Sequence, residues 1–125
     1  MIDIKLSELV NAEVPVFQGD LMIRAASRLP DGVKQLGTNV VAHSETGHHH
    51  VAVGADVLGG LDPMVMFLRP DGKHQIDGVP FVDIVHERPT DKHETYRLFF
   101  DLPSAVPVIQ RQEEWSPEGW RVVAD

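Results

Sequence analysis

Three consecutive histidines, His48-His49-His50, follow Gly47, and four more (His43, His74, His86 and His93) lie around them in a chain with a single tyrosine. Imidazole binds transition metals and titrates near neutrality, so this is where chemistry is to be sought. In a strand, side chains alternate between faces, so His48 and His50 point the same way and His49 points the other way. Two imidazoles spaced i and i+2 on one face can be bridged by one ion, and Gly47 lets the backbone turn sharply just before them. A second group, His86-Glu87 through Asp91-Lys92-His93-Glu94, can supply a third ligand from His93 or His86 if the fold brings it beside the first. Three histidines with an open position suit Zn, Fe, Mn or Ni, and imidazole alone does not choose among these divalent transition metals.

Each of these residues also has a plainer reading. His86 continues the apolar face of Val82 and Ile84 and can be a strand-end histidine with a polar partner. His49 shares a face with Val51 and Val53, which suggests packing or exposure. His43 and His74 read as structural or solvent-facing. Glu87, Asp91 and Glu94 are either partners that orient imidazoles or a charged loop.

The chain contains no cysteine, which excludes a disulfide scaffold and any thiolate metal site. Nineteen Asp and Glu against eleven Lys and Arg give a formal charge of −8, which argues against a nucleic-acid partner. No helical H-E-x-x-H, no G-x-S-x-G elbow and no phosphate-cradling G-x-x-x-x-G-K loop is present. A cupin-like pattern comes closer: glycine, H-x-H on a strand, a glutamate soon after and a later histidine. Val51-Ala52-Val53-Gly54 follows His50, so the expected glutamate is missing, and Glu45 is the nearest substitute.

The elements that must position these groups are short and β-rich. At 125 residues, the chain suits one domain spanning 1–125 with a real core. Nine prolines and ten glycines punctuate β-prone runs at 20–26, 33–36, 38–43, 48–57, 63–68, 79–86, 95–101, 106–113 and 120–123. Only 6–13 has a helical pattern, with Ser7 as a candidate cap and Pro15 as the stop. Asp71-Gly72 is the strongest hairpin signal. The expected fold is all-β: a small single-domain barrel or sandwich, cupin-like or jelly-roll, with at most one short N-terminal helix. Trp115 and Trp120 flank a turn that can close one end of it. The N-terminus lacks a secretory pattern and no window reads as a membrane span, so a cytoplasmic protein with no membrane partner is expected.

Several of these motifs occur in a fixed order: Gly19-Asp20, Leu29-Pro30, His43 through Val51, His86-Glu87, His93, and Gln112 through Pro117-Glu118-Gly119-Trp120-Arg121 to Asp125. In this order the chain resembles a group of small, functionally uncharacterised proteins encoded in bacteriophages, prophages and some bacterial genomes. The resemblance runs from about Gly19 onward. It implies a phage-associated protein in the bacterial host cytoplasm or in the virion, with His48, His50 and His93 at the recurrent histidine positions. Leu102-Pro103-Ser104-Ala105 stands where that group commonly has Pro-Gly. A homo-oligomer and phage structural proteins are the expected partners. Two functions follow as expectations: a metal-binding β protein, or a structural or accessory particle protein whose histidines form an oligomer interface without metal.

Overall fold

Alternation of apolar and polar side chains builds most of the elements, and glycines decide where the chain changes sheet. The computed structural model describes residues 1–12, 15–42, 49–87, 94–111, 113–116 and 119–122. Strand β1 (Ile2–Lys5) runs directly into helix α1 (Leu6–Asn11), followed by β2 (Val16–Gln18), β3 (Leu21–Ala26), β4 (Lys34–Gln35) and β5 (Val40–Ala42). Strands β6 (His49–Val53), β7 (Ala55–Gly59), β8 (Val65–Pro70), β9 (Gln75–Ile76) and β10 (Val79–Glu87) form the middle. The chain ends with β11 (Tyr96–Phe99), β12 (Val106–Arg111), β13 (Glu113–Ser116) and β14 (Gly119–Val122).

These strands make two six-stranded sheets. The first is ordered β1-β11-β10-β6-β5, with β9 added to β10, and the second β2-β3-β12-β8-β7-β4. A separate ribbon pairs β13 with β14. Only β1 and β11 run parallel; every other pairing among the described residues is antiparallel. The all-β expectation holds, and of its two architectures the sandwich is the one present. The sheets keep open edges at β1 and β5 and at β2 and β4, so no closed barrel forms among the described residues.

Inward-facing side chains from both sheets share one core. Leu21 and Ile23 of β3 and Ile109 of β12 meet Val82 and Ile84 of β10 and Leu98 of β11, all at most 1% exposed. Burying one Leu or Ile of this kind contributes about 1.5–3 kcal/mol. Leu6 and Leu9 of α1 pack into the same cluster. No helix among the described residues is long and apolar enough to cross a membrane.

Three local expectations are corrected. The run 48–57 is not one strand: β6 belongs to the first sheet and β7 to the second. Gly54 joins them at φ +86, and a Cβ there would sit 2.9 Å from His74 Nδ1. Alternation cannot reveal this break, because the pattern continues across it. Asp71-Gly72 does not close a tight hairpin. Asp71 Oδ1 accepts the Lys73 N–H in a local turn that carries the chain from β8 across to β9. The tight turn is Asp77-Gly78, where φ values of 50 and 80 and the Ile76–Val79 pairing match the I′ geometry that Asp-Gly favours. Ser7 does not cap α1. Lys5 occupies the N-cap without a side-chain bond, and the Ser7 N–H and hydroxyl both donate to the Asp101 carboxylate.

Candidate functional site

The hairpin β2–β3 turns through Gly19-Asp20, with Gly19 at φ 57 in the first turn position, where a II′-type turn requires glycine. This turn sets Gln18 and Asp20 at the rim of the second sheet, pointing inward. Across from them, β6 and β10 of the first sheet pair His50 directly with His86. Because Ala52 and Ile84 are the next inward residues on those strands, the alternation that builds the core also turns both imidazoles into it.

Among the described residues, the buried polar side chains are Gln18, Asp20, His50 and His86, each at most 5% exposed. His50 is in contact with each of the other three. Buried polar groups are costly unless they are satisfied, so placing these together at one end of an apolar sandwich marks a specific arrangement.

Gln18 sets the chemistry of His50. Its Nε2 donates to the carbonyls of Ile84 at 2.9 Å and Glu94 at 2.7 Å, which fixes the amide orientation. Gln18 Oε1 therefore faces His50 and accepts from Nδ1–H at 2.9 Å. The other ring nitrogen, Nε2, lies 2.9 Å from Asp20 Oδ1. Burial pushes the Asp20 carboxyl up. The hydrogen bond and charge of His50, its own backbone N–H and the charge of Arg111 together bring it below the ordinary carboxylate value. Asp20 is thus an ionised carboxylate at neutral pH.

Two chemical states fill this geometry. A doubly protonated ring donates to Gln18 at one nitrogen and to Asp20 at the other. A ring protonated only at Nδ1 offers the Nε2 lone pair to a cation beside Asp20. Metal-bound histidines characteristically donate their second N–H to a fixed acceptor, and Gln18 supplies one.

His86 stacks on His50 with ring centroids 4.0 Å apart and planes 11° from parallel. Lone pairs in two nearly parallel planes do not converge, so His86 reaches an ion bound at His50 only after its ring turns. His48 and His93 lie outside the described residues, as do His43, Glu45 and Asp91. His49 is half-buried, opposite Glu87 in the ladder, on the other face of β6. His74 is exposed, 3.5 Å from Asp71 and edge-on to Phe81. The Glu94 carboxylate is at the surface beside the Met1 amine; the backbone carbonyl of Glu94 serves the site. Among the described residues no three His, Asp or Glu side chains form a ready-made metal cluster.

Gln18 and Asp20 were invisible to a reading centred on histidines. The available signal was Val16-Phe17-Gln18 and Leu21-Met22-Ile23 separated by Gly-Asp, a two-residue hairpin pattern that would have set the two polar residues beside each other. A concavity of about 540 Å³ lies near the opposite end of β10, lined by apolar residues such as Leu58, Leu68, Val79 and Phe100. No histidine lines it. No family model matches the chain, and neither a curated protein nor a solved structure does.

Proposed function

We propose that this chain is a phage- or prophage-associated β-sandwich protein that binds a divalent transition metal through His50 Nε2. The supporting observation is the fixed ring: Gln18, held by two backbone carbonyls, accepts a hydrogen bond from Nδ1–H and leaves Nε2 directed at a buried carboxylate. The remaining imidazoles come from His48 and His93, which lie outside the described residues, and from His86 after rotation. Without thiolates, the donors are imidazole and carboxylate, which suits Zn, Fe, Mn or Ni.

Metal analysis of protein purified without an affinity tag tests this, alongside His50→Gln and the His48→Ala/His50→Ala pair. Near-stoichiometric metal that falls in both variants is the expected result. Substoichiometric metal unchanged by the substitutions rejects the reading.

One observation favours the second reading, an accessory or structural particle protein without metal. Both His50 nitrogens face acceptors, the arrangement of an imidazolium that fastens the two sheets together. His50 and His86 are buried within one chain, so copies of the protein would then meet through other surfaces.

A further inference from the structure

We propose that Asp20 is itself a ligand to the ion bound at His50, so that the metal ties the two sheets together at this end of the sandwich. This rests on the reading of His50 as a metal-binding residue and names the donor set and structural consequence of that same site.

The argument starts from topology. Asp20 sits on the β2–β3 turn of the second sheet, and His50 on β6 of the first. Strand pairing cannot join them, because they belong to different sheets. Yet Asp20 is only 5% exposed and its Oδ1 lies 2.9 Å from His50 Nε2. Two cis donors on one ion, each about 2.0–2.2 Å away, are separated by about 3 Å. The present spacing is close to that, so an ion entering between these groups needs the carboxylate to swing aside rather than any strand to move.

The charges point the same way. A carboxylate buried at this depth needs compensating positive charge, of which Arg111 already supplies part. A divalent ion supplies that more strongly than a shared proton, and His50 remains oriented by Gln18 in either case. The second sheet then contributes two residues to one centre: Asp20 to the ion and Gln18 to the ring. The Gln18 amide also holds the carbonyls of Ile84 and Glu94, so loading the ion would consolidate β2–β3 against β6 and β10. Metal binding is therefore coupled to the stability of the sandwich.

The test uses tag-free protein stripped of metal and titrated with Co(II) and Zn(II) by calorimetry, with Co(II) absorption spectra and thermal melts on the same samples. Asp20→Ala and Asp20→Asn are compared with the wild type. Asparagine keeps the size and an acceptor for His50 while removing the charge, so it carries the test if the alanine variant does not fold. The expected result is a loss of at least about tenfold in affinity, a changed Co(II) spectrum and a smaller metal-induced rise in melting temperature. Affinity within about threefold of wild type with an unchanged Co(II) spectrum overturns the proposal while leaving metal binding at His50 intact. A wild type that takes up neither ion rejects the underlying reading instead. Infrared difference spectra of wild-type protein carrying ¹³C-labelled aspartate give a measurement independent of any variant. A shift of the labelled carboxylate stretch on Co(II) loading supports ligation, and an unshifted band rejects it.

Discussion

His86 lies directly opposite His50 in the β6–β10 ladder, and the two imidazoles stack face to face 4.0 Å apart inside the sandwich. This contact fills a site that the alternation of β10 would otherwise give to an aliphatic residue after Val82 and Ile84. Truncation should therefore leave a void against the face of His50. His86→Ala is expected to lose about 2–4 kcal/mol of stability in urea unfolding. His86→Phe, which preserves a flat ring, should recover more than half of that loss. Equal stability of the alanine variant and the wild type would show that the stack contributes no packing.

Gln18 links two groups of the first sheet, His50 and the Ile84 carbonyl, and the Glu94 carbonyl just before β11, so its removal should cost more than one hydrogen bond. Gln18→Leu keeps much of the volume but leaves the Ile84 and Glu94 carbonyls and His50 Nδ1–H without this partner. The expected loss is about 2–4 kcal/mol by chemical denaturation, since each abandoned buried group costs about 1–3 kcal/mol before water or relaxation relieves it. Metal affinity should fall about 10- to 100-fold, as happens when the group orienting a histidine ligand is lost. A stable Gln18→Leu with undiminished metal affinity would mean that another residue sets the ring.

How much of this was legible follows from which interactions are local. The separation of His50 from His49 onto opposite faces follows directly from period-two alternation, because that rule needs only one strand. Which face is inward does not, since Val51 and Val53 lie on the His49 side and the packing of the two sheets decides it. The strand at β10 was equally plain, since Val82, Ile84 and His86 repeat every second residue. The carboxylate and amide that serve His50 come from residues 30 and 32 positions away on the other sheet, and nothing in a histidine pattern encodes that meeting. The cupin-like pattern places the acid on the same strand as the H-x-H. The acid that meets His50 arrives instead from the β2–β3 turn, which a two-residue Gly-Asp signal marks. The break between β6 and β7 escaped for a different reason: apolar residues on both sides of Gly54 preserve the alternation while the backbone changes sheets.

That break gives a direct test. Gly54 combines φ +86 with a neighbour 2.9 Å from where a Cβ would stand, the Nδ1 of His74. Gly54→Ala should destabilise by about 1–3 kcal/mol, part from the left-handed backbone and part from the clash. His74 is a half-exposed side chain and can move, so Gly54→Ala/His74→Ala should recover only the second part. A double-mutant cycle with coupling of about 0.5 kcal/mol or more would establish the contact. Full recovery in the double variant would show that the backbone conformation carries no penalty.

The Ser7–Asp101 pair predicts a pH dependence of stability. Burial pushes the Asp101 carboxyl up, but hydrogen bonds from the Ser7 hydroxyl and N–H, its own backbone N–H and the nearby charge of Lys5 bring it below its ordinary 3.8. A lowered folded-state value means that the unfolded chain takes up the proton more readily. The pair therefore stabilises the fold fully above about pH 4–5, and the contribution is lost as the pH falls below 3.8 through the folded-state value. Asp101 stands in for the absent side-chain cap of α1, so Asp101→Asn should cost about 0.5–1 kcal/mol near pH 7, the range of an exposed cap. The gap between wild type and Asp101→Asn should stay constant between about pH 5 and 7 and close in acid. Urea unfolding across that range measures it. A gap that widens on acidification would contradict the sign of the shift and remove Asp101 as the residue that holds the start of α1.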